Sequence, residues 1–170
     1  MVKLHLGCGN NYKEGYINCD ISDKLKIDRI INLEEKLPFD NDSVEEIIIE
    51  HCLEHINNLY PLLEEFQRIC KDEAIIKIKV PYFSSESAFS TITHIRFFTL
   101  TSFDIMDKDN NLHYDAPNVN FKTIKKKLNF RIKILELLFN LFPRIYQEIF
   151  CWIIPARELE IELKVSSKSL

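Results

Sequence analysis

Two glycines one residue apart, Gly7 and Gly9, close a short apolar run, Val2-Lys3-Leu4-His5-Leu6. Eleven residues after Gly9, a second strand-like run, Tyr16-Ile17-Asn18-Cys19, ends on Asp20. A glycine carries no Cβ, so its backbone can come within contact distance of a ligand. A carboxylate only accepts hydrogen bonds, which suits it to the paired hydroxyls of a ribose. Strand, glycine turn, strand and acid make a nucleoside-binding layout. The chain has three glycines, Gly7, Gly9 and Gly15, all within its first fifteen residues. A pyrophosphate would call for a third glycine three residues on, and Tyr12 stands there. No Walker-type lysine follows either, so a nucleoside cofactor without phosphates fits better than a dinucleotide.

Other residues carry chemistry by type. His94 and Arg96 lie in Thr91–Thr99, after a run that ends in Pro81. A histidine near neutrality can take a proton from a hydroxyl, and an arginine can fix a carboxylate or phosphate. The plainer reading is that both pin a loop through backbone hydrogen bonds. His51-Cys52-Leu53-Glu54-His55 matches the inverted zincin pattern. No further acidic ligand or cleft accompanies it, so no metal is expected and His55 is read as a packed or capping residue. Lys125-Lys126-Lys127 is read as a solvated face.

The elements that position these residues follow from periodicity. Strands are predicted over 2–6, 16–19, 28–33, 44–50, 73–80, 121–130 and 157–165. Ile47-Ile48-Ile49 suggests a strand buried on both faces. In the last strand Leu159, Ile161, Leu163 and Val165 alternate with Glu158, Glu160, Glu162 and Lys164. Helical spacing runs from Cys52 to Cys70, with Pro61 as its expected interruption. A second helical, aromatic-rich segment covers 134–154, broken by Pro143. Strand and helix in alternation predict an α/β fold with a doubly wound, largely parallel sheet.

Taken together, these motifs resemble class I S-adenosylmethionine-dependent methyltransferases. Leu4-His5-Leu6-Gly7-Cys8-Gly9-Asn10 looks like their first motif, and Asp20 matches the acid ending their second strand. Leu37-Pro38-Phe39, Asp42-Ser43 and Leu53-Glu54-His55-Ile56 are similar to the pattern of the type 11 branch. Glu65, Arg68 and Ile69 match its helix before the fifth strand. The likeness covers roughly residues 2–81. It implies a Rossmann-like seven-stranded methyltransferase sheet. It implies S-adenosylmethionine as cofactor and S-adenosylhomocysteine as product, with methyl transfer to a small-molecule, sugar or lipid-linked acceptor. Carried over by position, Leu6, Gly7, Cys8 and Gly9 form the turn under the cofactor. Asp20 and Ile21 meet the ribose, Asn32 and Leu33 the adenine, and Glu50 and His51 the sulfonium region. His94 and Arg96 fall where acceptor-binding groups lie. A non-catalytic nucleoside-binding or assembly protein keeping the fold stays open as the alternative.

The sequence also departs from that pattern. Six residues between Gly9 and Tyr16 are too few for a crossover helix, and the next connection is equally short. The helices of one sheet face are therefore expected to be reduced. An uncovered parallel sheet would expose apolar area, so the 134–154 segment or a second subunit, as in a homodimer, is expected to cover it.

Bulk composition sets the frame. The chain of 170 residues is 46% hydrophobic with a net charge of −4. That is enough for one domain over 1–170 with a helical insertion at about 132–154, and it disfavours general nucleic-acid binding. Five cysteines without a CxxC spacing, and no signal peptide, suggest a reducing cytoplasm. No transmembrane run is present, which leaves peripheral membrane contact as the one membrane reading.

Overall fold

The computed structural model describes residues 2–107 and 117–166. Among these, seven strands form one sheet: β1 (Val2–Leu6), β2 (Ile17–Asp20), β3 (Arg29–Ile30), β4 (Val44–Glu50), β5 (Cys70–Pro81), β6 (Phe121–Asn129) and β7 (Glu158–Val165). Their order is β3-β2-β1-β4-β5-β7-β6. Strands β1 to β5 pair in parallel, while β7 runs antiparallel to both β5 and β6. This is the expected Rossmann-like α/β sheet.

Two expected elements change. The third strand shrinks to two residues because its flanks have other uses. Asp28 accepts the Asn18 N–H at 2.7 Å, and the Asn32 side chain accepts the Glu34 N–H at 3.0 Å, turning the chain out of the ladder. Pro61 does not interrupt a helix. It is the third residue of α1 (Leu59–Ile69), where a backbone N–H has no intrahelical partner to lose. The residues ahead of it, Leu53–His55, form a separate turn of 3-10 helix.

One face of the sheet holds the core. Leu4, Leu6, Ile47, Ile49, Ile76, Ile78, Val80, Leu159, Ile161 and Leu163 all point into it. Leu62, Leu63, Phe66 and Ile69 of α1 pack there, with Phe98, Leu100, Phe103 and Met106 from the chain after β5. Arg68 donates to the Leu37 and Phe39 carbonyls at 2.9 and 2.8 Å, and Glu65 accepts the Leu37 N–H at 2.8 Å. The turn before β4 is thereby fixed to α1.

The other face carries no helix between β1 and β3, as expected, but it does not need the expected cover. Lys3, Glu46, Lys77, Glu162 and Lys125 lie on it across five strands. Glu46 pairs with Lys3 at 3.0 Å and with Lys77 at 2.5 Å, and Lys125 pairs with Glu162 at 2.6 Å. Burial pushes the Glu46 carboxyl up, but hydrogen bonds from Lys77, Lys3 and Tyr16 outweigh it and hold the group at about 2. The Lys3 and Lys77 side chains remain 41% and 45% exposed at mid-sheet, so none of the described residues lies over them. The face is solvated by charge, and the feared apolar patch does not form.

The helical segment goes elsewhere. α2 (Lys133–Leu141) docks on the end of β6, with Glu136 pairing to Lys127 at 2.9 Å. Asn140 receives the Leu128 N–H and donates to the Leu128 carbonyl, both at 2.8 Å. Phe130, Phe139, Tyr146 and Phe150 form its small aromatic core. Leu137, Leu141, Phe142, Ile149 and Trp152 stay exposed. The expectation that this segment covers the bare sheet face is therefore corrected. Its polar contacts hold it to the edge strand, and charged side chains dominate the other face, where Ile48 and Ile75 lie between them.

The short β1–β2 connection is organised by one residue. Asn18 is fully buried. Its carboxamide accepts the Lys13 N–H at 2.8 Å and donates to the Lys13 and Tyr16 carbonyls at 3.0 Å each. It also meets His5 Nδ1 at 3.2 Å. These bonds satisfy loop backbone that a crossover helix would otherwise satisfy internally. Asn18→Ala is expected to cost about 2–4 kcal/mol, because several buried polar groups lose their partner at once. Urea unfolding checks this, and a loss under about 0.5 kcal/mol would contradict the role.

Candidate functional site

The carboxyl ends of β1, β2 and β4 meet on one rim of the sheet, where open α/β sheets bind ligands. Gly7 and Gly9 both take left-handed backbone, with φ of +61° and +51°. Their reasons differ. A Cβ on Gly7 would lie 2.4 Å from Cys52 Sγ, so Gly7 is required by packing under the turn. A Cβ on Gly9 would meet nothing within 4 Å, so Gly9 faces open space. The turn is closed by the Cys8 N–H donating to the Cys19 carbonyl at 3.0 Å and the Asn11 N–H to the Cys8 carbonyl at 2.9 Å.

Asp20 is brought directly onto this turn. Its Oδ2 accepts the Gly9 N–H at 2.9 Å, and its Oδ1 accepts the Ser22 N–H at 3.1 Å. A carboxylate oxygen can accept two hydrogen bonds, so each keeps a lone pair for a hydroxyl. The two backbone donors hold the plane of the carboxylate fixed. Open space beside Gly9 and an oriented acceptor next to it fit the ribose end of a nucleoside.

The remaining expected residues are placed unevenly. Leu6 and Cys8 are buried beneath the turn. Ile21 is largely exposed beyond Asp20. Asn32 bonds Glu35 at 2.9 Å, and the Leu33 side chain belongs to the core, so only backbone at this point is free to meet a base. Glu50 accepts from Asn11 at 3.0 Å and pairs with Lys13 at 3.2 Å, tying the end of β4 to the loop after the glycines. His51 is left-handed at φ +51°, and its Nε2 lies 3.2 Å from Glu158 at the start of β7. Glu158 and Glu54 raise the His51 imidazole to about 9 against the opposing effect of burial. His51 in turn holds Glu158 down at about 2, against burial and with help from Lys79.

His94 and Arg96 come to the same rim but face inward. Arg96 donates from Nε to the Ile56 carbonyl at 2.8 Å and from a terminal nitrogen to the Asn57 carbonyl at 2.5 Å. His94 Nδ1 lies 3.1 Å from the Ala88 carbonyl. Arg96 thus fastens the loop after β5 to the turn after β4, while His94 braces that loop against its own earlier turn. The backbone carbonyls already hold much of the guanidinium expected to grip an acceptor anion. The zincin-like pattern is also redistributed. Its two histidines do not share a helix face, because His51 precedes the 3-10 turn in left-handed backbone. The three lysines are not free either: Lys125 pairs with Glu162, Lys126 with Asp104 and Lys127 with Glu136.

Sequence reasoning missed Asn18, Cys52 and Glu158 as parts of this rim. Cys52 is legible only once the chain after β4 is known to fold back under Gly7. Beyond the end of β5, a cleft of about 470 Å³ opens. Ser85, Ser87, Arg131 and Arg157 supply its polar groups, and Phe130 and Leu135 line it with apolar surface.

No protein-family model matches the chain, and no curated protein sequence matches it. Solved structures do match over nearly its whole length. An S-adenosylmethionine-dependent methyltransferase from Archaeoglobus fulgidus superposes with a TM-score of 0.62 at 16% identity, covering 95% of this chain and 85% of that one. One from Mesorhizobium loti gives 0.62 at 9% identity over 96% and 90%. Phosphoethanolamine N-methyltransferase 2 of Haemonchus contortus, in complex with S-adenosyl-L-methionine, gives 0.62 at 12% identity over 99% of this chain and 49% of that one. At such identities the likeness is one of fold. The chain has the class I S-adenosylmethionine-dependent methyltransferase fold, with few helices. Among the described residues, no helix is long and apolar enough to cross a membrane.

The two glycines separate in a simple test. Gly7→Ala is expected to lower stability by about 2–4 kcal/mol, from left-handed strain plus the clash with Cys52. Gly9→Ala carries the strain alone, about 1 kcal/mol. Equal losses on urea unfolding would show that Cys52 does not crowd Gly7.

Proposed function

We propose that this chain binds S-adenosylmethionine on the Gly7–Gly9 turn and transfers its methyl group to a small-molecule, sugar or lipid-linked acceptor. The observation that carries this reading is the Gly9 N–H to Asp20 bond of 2.9 Å beside open space. When bound, S-adenosylmethionine would supply a methyl group already activated on a sulfonium sulfur. Asp20 accepts the ribose hydroxyls with the lone pairs left by Gly9 and Ser22. The backbone around Asn32 and Leu33 meets the base. Glu50 and His51, at the end of β4, border the side from which an acceptor must approach.

Methyl transfer is an in-line displacement, and positioning supplies much of its acceleration. The residues past β5 serve that positioning. Arg96 holds the 88–96 loop against the turn after β4 and His94 braces the loop internally, so the acceptor side has a fixed wall. The cleft lined by Ser87, Arg131, Arg157 and Leu135 suits an acceptor with a polar head and an apolar body. The exposed apolar side chains of α2 and the segment after it are in keeping with a lipid-linked acceptor.

Calorimetric titration with S-adenosylhomocysteine, with NAD as control, tests the reading. Saturable binding of one equivalent of the first, and none of the second, is expected. Asp20→Ala is expected to weaken that binding by about 1–3 kcal/mol, the cost of leaving hydrogen-bonding partners unpaired. Preference for NAD, or unchanged affinity in Asp20→Ala, would overturn it.

A further inference from the structure

Glu54 is 1% exposed, and neither of its carboxylate oxygens has a hydrogen-bond partner. Its Oε1 lies 3.7 Å from His51 Nδ1 and 3.9 Å from His94 Nε2, within ion-pair range but too long for hydrogen bonds. A buried carboxylate in this state is costly, and nearly all buried polar groups in folded proteins find a partner. His51 meets the charge of Glu54 only at ion-pair distance, and both carboxylate oxygens keep unfilled lone pairs.

The two histidines beside it are prepared for the same role. His94 Nδ1 lies 3.1 Å from the Ala88 carbonyl, and His55 Nδ1 lies 3.2 Å from the Thr93 carbonyl. A carbonyl only accepts, so each Nδ1 carries a proton, which leaves Nε2 as the atom of each ring that can give a lone pair to a metal. Metal-ligating histidines are oriented in this way, by the N–H on the far side of the ring. The two rings stand edge to face with centroids 4.7 Å apart. One ligand atom from each of Glu54, His55 and His94 lies within 4.8 Å of the other two. The Ile95 N–H donates to the Glu54 carbonyl at 2.9 Å and fastens the two segments together.

From this geometry we propose that Glu54, His55 and His94 bind one divalent ion of the zinc class, with a fourth position open on the solvent side of His55. Two imidazoles and one carboxylate select against magnesium and calcium, which take oxygen ligands, and suit zinc and its neighbours. Bonds of about 2.0–2.1 Å require the three side chains to close inward by small rotations. Three protein ligands with one position left for water or another oxygen is the pattern of zinc sites that are not purely structural. The site reverses the expectation of no metal. That expectation weighed the His51/His55 pair, whereas the structure commits His51 to Glu158 and brings in His94 from a distant segment. The proposal does not depend on S-adenosylmethionine binding.

The test uses the full chain without a histidine tag, stripped with chelator and titrated with Co²⁺ as a visible probe, then with Zn²⁺ as competitor. Cobalt absorption is expected to saturate at one equivalent and to be displaced by zinc. His55→Ala should weaken cobalt affinity roughly 100-fold or more, beyond the ~10–100-fold carried by outer partners. His55 is exposed, so its removal leaves folding intact. Glu54→Gln should weaken binding similarly, while Glu73→Gln, an exposed carboxylate near the start of β5, should change it less than about threefold. Absent saturation, or a His55→Ala affinity equal to that of the unaltered chain, would overturn the site.

Discussion

A β-sheet must either be covered or present a polar surface, and this chain meets that constraint differently on its two faces. On one face α1 and the segment after β5 cover a continuous row of leucines, isoleucines and valines. On the other, alternation places Lys3, Glu46, Lys77, Glu162 and Lys125 in a row across the sheet. Surface ion pairs contribute little stability one by one. Here they do something else: they let a mostly parallel sheet keep one face in water without an apolar patch.

That economy shapes the rim. With no crossover helix after β1, the loop from Asn10 to Tyr16 needs partners for its backbone, and the buried Asn18 provides them. The same loop reaches back through Asn11 and Lys13 to Glu50. Gly7 fits because Cys52 comes up beneath it, and Gly9 then lies against Asp20 with space on its other side. The short connection thus presents the glycine turn and the acid in the relation a longer βαβ unit would give them.

Much of this was legible in the residues. The alternation from Leu159 to Val165, the glycine pair and the acid at Asp20 carry local signals that survive folding. The face charges were visible in Glu158, Glu160, Glu162 and Lys164, yet they argued against a bare apolar face only when seen beside Lys3 and Glu46. Pro61 read as a break because periodicity does not say where a helix begins. The third strand looked longer than it is because side-chain bonds by Asp28 and Asn32 compete with the ladder. Contacts between Cys52 and Gly7, or between Glu54 and His94, are set by how loops cross the rim. No spacing rule encodes them. Arg96 illustrates the same limit, since its type suggests an anion and its position gives it two backbone carbonyls.

The central claim is that the glycine turn and Asp20 hold a nucleoside cofactor. A crystal structure of the chain grown with S-adenosylhomocysteine addresses it most directly. The account predicts the ribose hydroxyls within hydrogen-bond distance of Asp20, and the ligand in the open space beside Gly9. Ligand bound elsewhere, or a ribose that leaves Asp20 without contact, would contradict it.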